Sequence, residues 1–284
     1  MRKKILTTLL VAGPFCIILA SLFIGRYPLT FAEALRVLSF KLGLSDLPVS
    51  TTHINVVWDV RLPRAILGAL VGGSLAVSGA ALQGLFRNPL VSSGILGVSS
   101  GAGFGAALAI VFFHNQTFFV YFFAFAFSIL AVALAYLIGL HYKTTPTIML
   151  VLGGVIVSAI FSSLISLLKY IADPYEQLPS IVFWMMGSLA TARFQDILIS
   201  AIPMTIGMAG LIAMRWRLNI LSMGDDEAQA LGVNILFTKG LAIFFSTLAT
   251  AGAVCVGGVI GWVGQVIPHI GRMLVGNDNI VLIP

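Results

Sequence analysis

Long apolar stretches alternate with short polar segments along almost the whole chain. Most of them approach the length of about 20 residues that an α-helix needs to cross a bilayer. Lipid offers the backbone no hydrogen-bond partners, so helices are the economical way to place such stretches in a membrane. The pattern therefore predicts an all-α polytopic membrane protein with about eight transmembrane helices. The predicted spans lie at residues 5–25, 65–86, 94–113, 118–140, 147–168, 197–214, 240–257 and 259–274.

Small residues recur at every fourth position of the second predicted span. They are Gly68, Gly72, Ala76, Ala80 and Gly84, and the spacing returns in the third span at Gly97, Gly101 and Gly105. Residues four apart share one face of a helix, and small side chains on that face let another helix approach closely. We therefore expect two tightly packed spans joined by the polar turn at 87–89.

An amphipathic helix is predicted between the first two spans. Residues 29–38 place apolar side chains at helical spacing, with Thr30 as the N-cap and Glu33 three residues later. We expect this helix to lie on the outer face of the membrane. The N-terminus is then cytoplasmic, and the cytoplasmic segments contain nine Lys and Arg residues against seven outside. That difference has the sign that the positive-inside rule requires.

The composition excludes several classes of protein. Hydrophobic residues make up 59% of the chain and charged residues only 9%, against roughly a quarter charged in soluble domains. The net charge of +6 comes from few residues, and no basic run interleaves with aromatic residues. Nucleic acid is therefore not expected as a partner, whereas membrane lipid is. Cys16 and Cys255 lie far apart in apolar segments and are expected to be structural.

The sequence lacks the common phosphate-loop, zinc-protease and dithiol motifs. A phosphate-binding loop of the form GxxxxGK[S/T] is absent, and so are HExxH and CxxC. The four histidines, at positions 53, 114, 141 and 269, are scattered, so no metal site is predicted. We expect a chain that is not an enzyme and binds no cofactor. The energy for any transport must then come from a partner or from an ion gradient.

An acidic segment, residues 224–233, follows the sixth predicted span. Its three carboxylates, Asp225, Asp226 and Glu227, fit the first turn of a helix, where exposed amide groups favour negative charge. Gly232 suits a left-handed helix end. From the residues alone, an ordinary solvated loop helix is the alternative interpretation.

Four ordered segments carry a family likeness. They are RLPR at 61–64, SGAALQGLFRNPL at 78–90, GILGVSSGAGFG at 94–105 and GVIGWVGQVIPHIGR at 258–272. Together they resemble the FecCD-type permeases, the membrane subunits of bacterial ATP-binding-cassette (ABC) importers for iron-siderophores, haem and cobalamin. The last segment has Trp262, Gln265 and Gly271 where that family usually has other residues. Family members usually have ten spans, so the resemblance implies either that this chain is truncated before its ninth span or that the gene product lacks the last two spans.

The resemblance implies roles for three groups of residues. The acidic segment corresponds to the coupling helices, expected at residues 222–234, which sit in a cleft of an ATPase subunit. The implied coupling residues are Gly224, Asp225, Asp226, Glu227, Ala228, Leu231, Gly232 and Val233. Arg61 and Arg64 correspond to arginines that pair with glutamates of a substrate-binding protein, although flanking arginines also anchor spans at lipid headgroups. A short helix is implied near residues 181–189, at the outer mouth of the pathway.

Two smaller sets of residues are candidates for the pathway itself. Ser158, Ser162 and Ser166 recur at four-residue intervals in the fifth span, and helix packing explains that spacing equally well. Thr144 and Thr145 are candidate gate residues at the turn before the fifth span. Helix capping before a proline is the alternative there.

The function implied by the resemblance is that of an importer permease. Two copies would form a central pathway, two ATPase subunits holding ATP and Mg would grip the acidic segments, and a periplasmic or lipid-anchored binding protein would deliver a metal chelate. The expected cargo is an iron-siderophore, with haem, cobalamin and molybdate or tungstate as alternatives. The expected location is the cytoplasmic membrane of a bacterium or an archaeon. An ion-coupled secondary transporter is the rival class, but spans two to eight contain almost no ionisable residues for such coupling.

Overall fold

The computed structural model describes residues 2–140 and 147–284, and every regular element in those ranges is helical. The described α-helices are α1 (Arg2–Ser21), α2 (Phe31–Lys41), α3 (Thr51–Ile54), α4 (Leu62–Phe86), α5 (Val98–Phe112), α6 (Thr117–Leu140), α7 (Thr147–Ile171), α8 (Gln177–Met186), α9 (Phe194–Met223), α10 (Asp225–Ala230), α11 (Ile235–Gly257), α12 (Val263–Val275) and α13 (Asn279–Leu282). A π-helix, Asn55–Arg61, joins α3 to α4, and a short 3-10 helix, Ser93–Leu96, precedes α5. The chain forms two compact units, Met1–Leu70 with Leu189–Ile199 and Val71–Ser188 with Ser200–Pro284.

In the first unit, α2 is the predicted amphipathic helix. The Thr30 N–H donates to Glu33 Oε2 at 2.7 Å, and the Glu33 N–H donates to the Thr30 hydroxyl at 3.3 Å, which completes a capping box. The Thr30 hydroxyl also donates to Glu33, and these bonds from the Thr30 side chain and backbone lower the pKa of the Glu33 carboxyl below its ordinary value of 4.5. Ala34 and Val37 on the buried face pack with Val57 of the π-helix. The predicted cap and helix are both confirmed.

In the second unit, α5, α6, α7 and α11 pack together around an apolar core. Gly101 and Gly105 of α5 lie so close to the backbone carbonyls of Phe127 and Phe123 that a methyl group at either glycine would overlap them. The small-residue face of α5 therefore packs on α6 rather than on the second predicted span. A turn of only four residues separates α5 from α6, which favours this antiparallel hairpin.

The closest backbone approach in α4 lies off the predicted small-residue stripe. A Cβ atom at Gly79 would overlap the carbonyl group of Gly264 in α12. Gly72, a member of the stripe, has open space within 4 Å of the same position. The four-residue spacing identifies faces on which helices can approach, whereas the tertiary packing decides which small residue is used.

Five described helices are long and apolar enough to cross a membrane. They are Thr51–Phe86, Thr117–Leu140, Thr147–Ile171, Phe194–Met223 and Ile235–Gly257. The predicted spans at 94–113 and 259–274 contain the shorter helices α5, with 15 residues, and α12, with 13. An all-α polytopic membrane protein is therefore confirmed.

Two helices in the second half of the chain extend beyond their predicted spans. The sixth span was expected to end before Arg215, yet α9 continues through Arg215 and Arg217 for 30 residues to Met223. Arginine is a good helix former and its head group remains at the helix surface, so it does not terminate the helix. The polar segment is correspondingly shorter, because α11 already begins at Ile235.

Candidate functional site

The acidic segment folds as a short helix, α10, between two long ones. Gly224 is its N-cap, with φ +149 and ψ +162, and this glycine separates it from α9. Asp225, Asp226 and Glu227 occupy the first turn, as predicted, where they meet the positive end of the helix dipole. Ala228 is fully buried and belongs to the main apolar cluster of the second unit. One face of α10 is therefore attached to the core, while the carboxylates of Asp226 and Glu227 are exposed.

The end of α10 has the geometry of a Schellman motif. The Val233 N–H donates to the Ala228 carbonyl at 3.0 Å, and the Gly232 N–H donates to the Gln229 carbonyl at 2.9 Å. Gly232 has φ +77, so the predicted left-handed helix stop is confirmed. Two residues later, the Asn234 side chain caps α11 by accepting from the Phe237 N–H at 3.0 Å. The acidic segment is thus a defined helix–turn unit with fixed ends.

An ion pair attaches the acidic segment to α11. The Lys239 ammonium donates to Asp225 Oδ2 at 2.6 Å, with the lysine side chain 1% exposed and the aspartate 34% exposed. A buried ammonium requires a partner, because removing its charge from water costs several kcal/mol. The attraction within one buried ion pair is of the same order and offsets that cost. Sequence reasoning missed Lys239. The available signal was a lysine at the edge of an apolar span, 14 residues after Asp225.

Exposed apolar side chains occur within and on both sides of the acidic segment along the chain. Met223, Leu231 and Phe237 are 63%, 60% and 58% exposed. Asp226 and Glu227 are exposed beside them. An apolar surface rimmed by charge is the usual composition of a protein interface. The arrangement can therefore bind a partner with an apolar cleft and basic edges.

Arg61 and Arg64 occupy different environments in the first unit. Arg61 is 9% exposed and donates to the Leu22 carbonyl at 2.9 Å and to the Tyr27 carbonyl at 2.5 Å. Its guanidinium thus holds the loop after α1. Arg64 is exposed and donates to the Ala190 carbonyl. Binding-protein docking by these arginines stays a prediction, and Arg64 is the one whose head group is at the surface.

The candidate pathway serines lie along α7. Ser162 and Ser166 are exposed, and Ser158 is half-buried. The Ser166 hydroxyl donates to the Ser162 carbonyl at 3.0 Å, a bond within the helix. Lining of a pathway stays a prediction for all three. The candidate gate residues Thr144 and Thr145 lie outside the described residues.

The glycine-rich segment at 258–272 forms a non-helical link followed by α12. Trp262 has φ +69, a conformation that bulky residues rarely adopt, and its side chain is 77% exposed. The backbone carbonyl of Gln265 accepts from the Gln83 side chain at 3.1 Å. Pro268 lies inside α12, where its missing N–H interrupts the helix ladder.

Comparisons with known proteins agree with one another. The FecCD transport family model matches residues 10–284. The molybdate import system permease protein MolB of Haemophilus influenzae is 43% identical over 93% of this chain and 77% of its own length. A probable iron chelatin transport system permease of Helicobacter pylori is 40% identical over 78% of this chain and 66% of its own length. A solved structure, described as an inward-facing metal-chelate type ABC transporter, is similar with a TM-score of 0.85 at 40% identity, over 99% of this chain and 85% of that one. The chain therefore belongs to the FecCD transport family.

Proposed function

We propose that this chain is the permease subunit of an ABC importer and that the acidic segment couples it to an ATPase subunit. The observation that carries the proposal is the construction of that segment. A short acidic helix with defined ends is attached to α11 by the buried pair of Lys239 and Asp225. A force applied to α10 is transmitted to a membrane-crossing helix through this pair and through Ala228.

The proposed assembly contains two permease copies, two ATPase subunits that hold ATP and Mg, and an external substrate-binding protein. The N-terminus lies in the cytoplasm of a bacterium or an archaeon, on the same side as the acidic segment. The chain itself needs no cofactor for this role, because ATP hydrolysis takes place in the partner subunits. The exposed apolar side chains around the acidic segment supply the contact with the ATPase.

We propose an iron chelate as the cargo, as the family resemblance favours. Molybdate is the second candidate, since the similarity to a molybdate permease extends over 93% of this chain. Proteoliposomes distinguish the two candidate cargoes. They contain the permease and its ATPase, with purified binding protein outside, and the measurement is uptake of labelled ferric siderophore against uptake of labelled molybdate.

The same proteoliposomes test the function itself. Uptake should require ATP on the ATPase side and should stop when the ATPase subunit is omitted. A secondary transporter would instead take up cargo from an imposed proton or sodium gradient without ATP. Gradient-driven uptake by the permease alone would refute the proposed function.

A further inference from the structure

A cavity of about 550 Å³ lies in the second unit, beside the acidic segment. Its walls come from the end of α4, the turn that follows it, the end of α9, α12, Asn277 and Asn279. The Arg87 Nη1 atom lies 3.5 Å from the position of a Cβ atom at Gly224, the N-cap of α10. The cavity therefore borders the proposed coupling segment, although none of the coupling residues lines it.

The cavity collects positive charge. The two arginines Arg87 and Arg272 line it, and its lining contains no Asp or Glu. A concave site lined by one sign of charge raises the local concentration of ions of the opposite sign. Arginine in particular recognises phosphate, because its planar N–H donors match two oxygens of the anion at once. The chemistry of the walls selects an oxyanion.

One of the arginine side chains is held by a backbone carbonyl, and the other arginine has an unusual backbone conformation. The Arg272 guanidinium donates one N–H to the Ala80 carbonyl at 3.1 Å, which fixes its head group and leaves further donors for the cavity. Arg87 has φ +50, a left-handed conformation that a non-glycine residue seldom adopts. Strained backbone of this kind is often found at binding sites, where it directs a side chain.

The wall also contains unsatisfied amide groups. Gln83 Oε1 and Asn279 Oδ1 are shielded from solvent and have no hydrogen-bond partner in the described structure, and both residues line the cavity. Buried polar atoms are normally paired, so such atoms call for an explanation. Both atoms are acceptors, so the partner that each lacks is a donor, such as the hydroxyl group of a ligand.

We propose that this cavity binds a phosphate group, either as free hydrogen phosphate or as the headgroup of an anionic phospholipid. Both sources offer oxygens to Arg87 and Arg272 and a hydroxyl group to the amides of Gln83 and Asn279. The site is separate from the transport pathway candidates on α7. Phosphate binding to the cavity can be measured without transport. A negative binding result would therefore refute this site without refuting the proposed function, and failed uptake would refute the function without refuting the site.

The experiment measures binding to the full permease chain. The chain is purified without ATPase subunits, because their nucleotide sites would also bind phosphate. Radiolabelled inorganic phosphate is followed by equilibrium dialysis at constant ionic strength in chloride. In parallel, protein from vesicles of phosphatidylcholine with phosphatidylglycerol is examined by native mass spectrometry for retained lipid. The variants are Arg272→Gln and Arg87→Gln, with Arg217→Gln as the matched control. Arg217 is an exposed arginine on α9 that does not line the cavity.

The expected result is one phosphate ion or one phosphatidylglycerol molecule per chain. Arg272→Gln and Arg87→Gln should each weaken binding by about tenfold or more, as loss of a hydrogen bond to a charged group does. Arg217→Gln should bind as the wild type does. A bound ion identifies free phosphate as the source, and a retained lipid identifies the headgroup. Binding of neither ligand, or binding that falls equally in all three variants, would overturn the proposal.

Discussion

Replacing Asp225 by asparagine should destabilise the protein more than replacing its partner Lys239 by methionine. In Asp225→Asn the Lys239 ammonium stays 1% exposed without a counter-charge. Removing one partner of a buried ion pair costs about 3–5 kcal/mol. Because Asp225 is 34% exposed and solvent screens part of the attraction, we expect a loss of about 2–3 kcal/mol.

Lys239→Met is the gentler change. Methionine keeps the apolar stem, and Asp225 then turns toward water, so the loss should be about 1 kcal/mol or less. The double variant removes both charges and should lie within about 1 kcal/mol of the wild type. Asp226→Asn is the matched control, since it removes one exposed negative charge from the same turn without breaking an ion pair.

Thermal unfolding in detergent measures these differences. A loss of 2–3 kcal/mol corresponds to a fall of roughly 5–10 °C in the unfolding midpoint for a chain of this size. Asp226→Asn loses only its interaction with the helix dipole, about 0.3–1 kcal/mol, and should lower the midpoint by no more than about 3 °C. If Lys239→Met were the more damaging substitution, or if the two losses simply added in the double variant, the ion pair would not hold the acidic segment in the way described.

Other predictions follow from the helix contacts and caps. Gly79→Ala should cost about 1–3 kcal/mol of stability through overlap with the facing Gly264 carbonyl. Gly72→Ala has open space around it and should be neutral or stabilising by about 0.5 kcal/mol. Equal midpoints of the two variants in thermal unfolding would contradict this prediction. Gly232→Ala should cost about 1 kcal/mol of stability, because φ is +77 there and a side chain strains that conformation. No neighbour lies within 4 Å, so steric overlap adds nothing to this cost. An unfolding midpoint at or above that of the wild type would refute the prediction. Thr30→Ala should lower the midpoint at pH 7. Because the pKa of Glu33 is depressed in the folded protein, the stability it contributes is present above its ordinary value of 4.5 and is lost as the pH falls through the folded pKa. The difference between wild type and Thr30→Ala should therefore shrink below pH 4.5, and a constant difference would contradict the capping box.

Local features of the fold could be predicted from the sequence. The capping box at Thr30, the acidic first turn of α10 and the left-handed stop at Gly232 each depend on a few neighbouring residues. Their signals are backbone conformation and hydrogen bonding within one helical turn. The apolar stretches likewise predicted the membrane-crossing helices, because hydropathy averages over a whole element.

Features that depend on distant contacts could not be predicted. Gly79 is the point of closest approach only because Gly264 faces it, and no spacing within α4 distinguishes it from Gly72. Lys239 is buried only because Asp225 reaches it across the turn between α10 and α11. The basic cavity combines Arg87 with residues of α12 that are more than 180 positions later in the chain. In each case the partner is selected by tertiary packing.

The most direct test of the coupling role records ATP hydrolysis and cargo uptake together in proteoliposomes. The permease is compared with a variant in which residues 224–233 are scrambled with their composition unchanged. We predict that the variant loses ATP-driven uptake, while the ATPase subunit alone keeps its basal hydrolysis and the permease alone hydrolyses no ATP. Full uptake by the scrambled variant would contradict the account.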